Sequence, residues 1–383
     1  MDRVRTRTAS RRSRARRSDS PHHIGSRRGF HARRRDPRHL SRHAERAAHA
    51  RRSWNSRWTT DGRSAVRQIA AGALAAIAAV VLLALSGIAF GHAPGELLST
   101  LISGSIGSSF ALHGTIVKSI PLLLTGLSVA IAFRAGVWNI GAEGQFIVGG
   151  LACFLAARFG LISSLLASMI AGAAWALIAS LLRFWRNAPE VLTTIILNFV
   201  GFHLLGYSVN GPLQEARAQY PQTDAVAISL STSGEVVIAL SICIASWFLL
   251  YRTKEGLRLR ATGFNPFAAR WAGVHVNAQI ARAMAISGGM AGLAGGIELL
   301  GVTHRLFERF AAGYGYSGIA VALLGQLHPL ATLLSAVFFG ALTTGAGELQ
   351  RASNISASVA TFGQAVVILT LIGLSSRAKR GIP

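Results

Sequence analysis

Residues 115–145 read TIVKSIPLLLTGLSVAIAFRAGVWNIGAEGQ, and this stretch decides the fold. Between Lys118 and Arg134 no charged side chain interrupts the apolar run. Such a run suits a helix crossing about 30 Å of hydrocarbon. The segment beyond it is unusual: a charge pair (Arg134, Glu143), two amides (Asn139, Gln145) and three glycines (Gly136, Gly141, Gly144) lie between this span and the next. Polar groups at membrane depth are costly unless paired or set around a wet cavity.

Working outward, the same alternation recurs. The expected spans are 66–90, 115–133, 141–157, 161–182, 191–209, 235–251, 279–302, 316–326, 328–346 and 356–374. The third and eighth are short for a full crossing, and short glycine-rich spans break or re-enter within protein. The fold class is therefore all-α, a polytopic bundle of about ten spans. Three regions are expected: an arginine-rich tail over 1–64, a transmembrane domain over 65–376, and a basic terminus over 377–383.

Composition agrees. Of 383 residues 51% are hydrophobic and 14% charged, against about a quarter charged in soluble domains. The net charge of +24 is uneven, because residues 1–63 hold 20 arginines against 5 acids, leaving 19 basic and 10 acidic residues for the rest. Such a tail buries too little apolar surface to order itself. Its arginines suit anionic lipid heads better than a specific nucleic acid. Since 36 of the 39 basic residues are Arg, a GC-rich genome with a start codon assigned too far upstream is a second reading of the tail. It is not a signal peptide, because the first apolar run begins too late and is too long.

Basic loops set the orientation. Residues 252–277 carry Arg252, Lys254, Arg258, Arg260 and Arg270 against Glu255, and the chain closes with Arg377, Lys379 and Arg380. Residues 210–234 hold Glu215 and Asp224 against Arg217. Ten spans place the basic segments on one side, so both termini are expected in the cytoplasm. Cys153 and Cys243 lie in apolar runs and read as small buried hydrophobes, not a disulfide or metal pair. No P-loop pattern occurs, so this chain cannot bind ATP by a P-loop of its own.

The candidate translocation-pathway residues are Asn139, Glu143, Gln145 and Asn198; the alternative is a polar knot that satisfies helix ends. Pro189 and Glu190 read as the first turn of a helix. Asn265-Pro266 reads as cap and first turn of a short helix ending at Gly273, with Phe267, Ala268, Trp271 and Ala272 as an apolar stripe. An ion-coupled secondary transporter would need several carboxylates deep in the spans, and Glu298 is the best candidate for a proton-linked one.

Four runs occur in order: FRAGVWNIGAEGQ, PEVLTTIILN, RATGFNPFAARWAGV and GYGYSGIAVALLG. Together they resemble the permease subunits of bacterial ABC importers for nucleosides and simple sugars, related to branched-chain amino acid permeases, over about residues 65–375. The NIGAEGQ form is similar to the nucleoside branch. The resemblance implies a transport subunit of the inner membrane, not an enzyme. It implies alternating access driven by separate ATPase subunits, a second permease or a copy of this one, and a substrate-binding lipoprotein. It also implies an ATPase-coupling loop at Gly256, Arg258, Arg260, Gly263, Asn265, Pro266, Ala268, Ala269 and Gly273. Gln326 departs from the pattern, in which a basic residue is common, and the arginine tail has no counterpart.

Overall fold

The computed structural model describes residues 94–353, residue 218 apart, together with residues 77 and 81. Across residues 94–353 eleven helices run in order: α1 (Pro94–Ile106), α2 (Ser109–Arg134), α3 (Ala142–Ala156), α4 (Leu161–Arg186), α5 (Glu190–Val209), α6 (Thr232–Arg252), α7 (Lys254–Phe264), α8 (Pro266–Trp271), α9 (Val276–Glu298), α10 (Tyr314–Leu324) and α11 (Pro329–Ser353). A 3-10 turn, Ala157–Phe159, prolongs α3, and a π turn, Leu299–Thr303, prolongs α9. Among the described residues, α2, α3 with its 3-10 turn, α4, α5, α6, α9 with its π turn, and α11 are long and apolar enough to cross a membrane. With the shorter apolar α10 they correspond to the second through ninth expected spans. The tenth span and both terminal regions lie outside the described residues, as does the first span but for residues 77 and 81.

Three local expectations need correction. Helix α1 was not expected, because Pro94, Gly95, Gly104 and Gly107 give its stretch the look of a loop; Pro is nonetheless tolerated in a first helical turn. Helix α2 begins six residues before position 115, where the Ser108 hydroxyl accepts the Ala111 amide at 3.0 Å. Pro189 stands at the N-cap of α5, just before its first turn, and Glu190 opens the helix. There Glu190 also pairs with Arg183 at 2.7 Å.

Burial separates centre from rim. Helices α2 and α9 are buried over 78% and 72% of their apolar windows, against 28% for α4 and α6. Outward faces carry Ile162, Leu166, Ile170 and Leu181 on α4 and Ile196, Phe199 and Val200 on α5, a surface suited to acyl chains. Lipid gives no hydrophobic drive between helices, so small residues and close contact hold the bundle. At the α3–α9–α4 junction a methyl on Gly292 would stand 2.3 Å from the Ser168 carbonyl oxygen, and one on Gly149 would stand 2.2 Å from that of Gly292.

Helices α3 and α10 both begin inside the bundle. Thr125, nine residues before the end of α2 and so roughly 14 Å in from it, donates from its hydroxyl to the Tyr314 carbonyl at 3.1 Å. From there α10 runs 11 residues, or roughly 16 Å, back to a turn held by Arg134. Residues 135–141 likewise re-enter, because Asn139 reaches Ser287 in the middle of α9. The two short helices thus meet N-terminus to N-terminus at depth.

The glycine contacts yield a prediction. Gly292→Ala should destabilise the detergent-solubilised protein by about 1–3 kcal/mol, read as a lowered thermal midpoint. Gly206→Ala on α5, with nothing within 4 Å of the added methyl, should leave the midpoint in place.

Candidate functional site

A helix that starts in the membrane interior exposes amide N–H groups that need partners. The sequence supplies them around the start of α3. Asn139 is fully buried; its Nδ2 donates to Gln145 Oε1 at 3.0 Å and to Ser287 Oγ at 2.8 Å. Its Oδ1 accepts from the Gly141 amide at 2.9 Å and from Gln145 Nε2 at 3.0 Å. Ser287 in turn meets Ser128 of α2 at 2.9 Å. Asn198, also fully buried, accepts the Gly144 amide at 2.8 Å and donates to the Ile140 carbonyl at 2.9 Å and the Tyr316 hydroxyl at 3.2 Å.

Glu143 joins the two half-helices. Its carboxylate accepts the Gly313 amide at 2.9 Å and the Gly315 amide at 2.6 Å. It sits in the first turn of α3 and against the first turn of α10, so the positive ends of both helices converge on one negative group. All four candidate pathway residues are therefore gathered here, and each is bonded to backbone or to another of them.

The coupling-loop candidates form a second group, at the end of the bundle where α2 finishes. The loop is more helical than expected, since residues 254–264 form α7. Thr253 caps it, accepting the Gly256 amide at 3.0 Å. The close glycines and charges of that stretch gave it the look of an irregular turn. Asn265 caps α8 as expected, accepting the amides of Phe267 at 3.0 Å and Ala268 at 3.1 Å, with Pro266 in the first turn. Beyond α8 the chain turns at Gly273, whose φ is +80°.

Helix α8 buries Ala269 and exposes Ala268, Phe267 (75%) and Trp271 (92%). Arg260 lies over the Tyr251 ring, 4.9 Å from its centroid. Glu255 ties α7 to α9, accepting from Gln279 at 2.9 Å and Arg282 at 2.8 Å, and it also pairs with Arg258. The Gln279 bond, then the Arg258 bond, hold this carboxylate below its usual range.

The two groups touch at backbone level. Gly136, at φ +76°, faces Gly263, where a methyl would stand 2.1 Å from the Arg134 carbonyl oxygen. Arg134 itself donates to the Leu327 carbonyl at 3.1 Å and the Gln326 carbonyl at 3.0 Å. That turn uses the carbonyl of Gln326 and leaves its side chain exposed.

Residues 111–374 match the model of the family described as "Branched-chain amino acid transport system / permease component". The chain belongs to that family. The permease is 32% identical over 315 residues to a guanosine ABC transporter permease protein of Bacillus subtilis, covering 77% of this chain and 89% of the relative. It is 30% identical over 325 residues to a glucose ABC transporter permease protein of Haloferax volcanii, covering 78% and 86%. A nucleoside ABC transporter permease protein of Lactococcus lactis is 29% identical over 285 residues, covering 68% and 78%. Bacillus subtilis and Lactococcus lactis each hold a second such permease that also matches, at 28% and 25% identity. The permease is thus a multi-pass membrane transport subunit, and ATP hydrolysis belongs to a separate subunit.

Sequence reasoning missed Ser128, Ser287, Tyr316 and the hub Glu255, which become partners only when distant helices meet. If Glu143 acts as the joint between α3 and α10, Glu143→Gln leaves one amide facing an NH2 group, a loss of about 1–3 kcal/mol. The expected readout is a lowered thermal midpoint of the solubilised permease, with Asn139→Leu lower still because Ser287, Gln145 and Gly141 all lose a partner.

Proposed function

We propose that the permease imports nucleosides across the inner membrane by alternating access, driven by ATPase subunits that grip α7 and α8. The observation that carries the reading is α8. It is a capped helix with two aromatic side chains turned outward, and its neighbour α7 rests on the backbone where α2 gives way to the buried start of α3. A push on α8 would therefore reach α3 without passing through flexible side chains. Nucleosides as substrate follow the guanosine and nucleoside relatives. Simple sugars are the second reading, favoured by the glucose relative, which is matched over a similar length. A second permease is expected because two relatives come in pairs, and delivery by a substrate-binding lipoprotein completes the assembly. This chain would bind no cofactor itself.

Charge supports the orientation. The α7–α8 end of the bundle carries Arg134, Arg183, Arg186, Arg252, Lys254, Arg258, Arg260, Arg270 and Arg282 against Glu190 and Glu255. By the positive-inside rule this end is cytoplasmic. Helix α2 begins and helix α11 ends on the opposite side, which fits the first and tenth expected spans returning both termini to the cytoplasm.

In proteoliposomes holding the whole importer, uptake of labelled guanosine should require ATP on the α8 side. Arg258→Glu and Ala268→Asp should reduce uptake toward the level without ATP while leaving the permease inserted. Unchanged ATP-driven uptake in both variants, or uptake by this chain alone on an ion gradient, would count against the reading.

A further inference from the structure

The stretch between α2 and α3 turns its amide inward and an aromatic ring outward. Trp138 is 55% exposed, while Asn139 beside it is fully buried. The Trp138 ring packs on Phe133 of α2, with centroids 4.7 Å apart. Phe133 rests in turn on the cluster around Ala130 and Ala322, and Ile319 of α10 rests on the same cluster. Ile319 lies one turn beyond Tyr316, which is 40% exposed, so the two share a helix face. A second link joins the aromatics. One Asn198 nitrogen donates to the Tyr316 hydroxyl at 3.2 Å and to the carbonyl of Ile140, two residues from Trp138, at 2.9 Å. Trp138 and Tyr316 thus border one open face beside the starts of α3 and α10.

The surroundings narrow what covers that face. Non-helical backbone at membrane depth is not left against lipid; it is buried in protein or lines a wet cavity. Residues 135–141 are such backbone. Contacts between membrane subunits favour small residues, whereas this face carries an indole and a phenol held by a buried amide. In transporters with broken helices the solute site lies near the midplane, where the breaks meet. The polar chemistry is lopsided. Asn139, Glu143, Gln145 and Asn198 are at most 1% exposed, so their acceptors are turned away from the face. What the aromatic pair offers is two π faces and donors. The Tyr316 hydroxyl accepts from Asn198 and keeps its own proton to donate, and an indole N–H can only donate. Sugar hydroxyls need acceptors as well. A flat heteroaromatic ring fits better, because it stacks on an aromatic side chain and its nitrogens and carbonyls accept.

We propose that Trp138 and Tyr316 form a stacking surface for the planar base of a nucleoside crossing the permease. This rests on the reading of the chain as a nucleoside importer, and it favours that reading over simple sugars, which have no such ring. Trp138 lies two residues from Gly136, which α7 touches through Gly263. Movement at α7 therefore shifts the indole as the pathway changes its access.

The test measures ATP-driven uptake of tritiated guanosine and glucose by the complete importer in proteoliposomes, with assembly followed by co-purification of its subunits. Trp138→Ala is expected to lower guanosine uptake about tenfold, and Trp138→Phe, which keeps a ring, to restore most of it. Tyr316→Phe, which loses only the donor, should lower it about threefold. Guanosine uptake unchanged in Trp138→Ala or Tyr316→Phe, no rescue by Trp138→Phe, or an equal fall for glucose overturns the stacking surface while the nucleoside reading stands. Wild-type uptake of glucose alone, or of neither solute, overturns both. Loss of only the second permease from Trp138→Ala makes the face a subunit contact and overturns the surface. Should Trp138→Ala fail to assemble altogether, guanosine is added to solubilised wild-type and Trp138→Phe importers without lipoprotein and tryptophan emission is read. Quenching that weakens in Trp138→Phe supports the surface; equal quenching, or none, overturns it.

Discussion

Backbone amides released where a helix begins inside a membrane must be answered by protein, because lipid offers them nothing. Here that constraint falls on the starts of α3 and α10. The Glu143 carboxylate answers Gly313 and Gly315 together, Asn198 answers Gly144, and Asn139 answers Gly141. The side chains that do this come from α3, from α5 and from the stretch before α3, and their support comes from α2 and α9. The arrangement of the central helices thus rests on a few short polar contacts together with close contact of small residues, as between Gly149 and Gly292.

The same geometry brings the ends of the bundle into relation. At one end α7 meets the Arg134–Gly136 backbone through Gly263, and Arg134 holds the turn that comes after α10. At the other, residues 223–230 are stitched to the stretch after α9 by the amides of Thr223, Val226 and Leu230, which donate to the carbonyls of Leu306, His304 and Leu300. Between the two lies the pair of half-helices. Movement imposed at α8 therefore has a short route of backbone contacts into the centre.

Much of this was legible in the amino-acid order. Long uncharged runs gave the spans, glycines among amides gave the broken pair, and Asn265-Pro266 gave α8. Each of those signals is local. What was not legible depended on partners far along the chain: Glu143 lies 170 residues before Gly313, and nothing in either stretch names the other. Trp138 was visible only as an aromatic residue among glycines, and Tyr316 as the start of a short span. Their shared face is a product of packing. Helix α7 was obscured for a different reason, since charge and glycine in one short stretch mimic a loop.

The long separation between Glu143 and the amides that bond it also bears on biosynthesis. When α3 leaves the ribosome, the residues that will receive its carboxylate have not been made. An acid in the first turn of an apolar helix is poorly suited to wait in lipid, so α3 must be shielded by translocation machinery, or stay near the headgroups, until α10 arrives. A chain cut short before Gly313 would leave the Glu143 carboxylate without either of the amides that answer it.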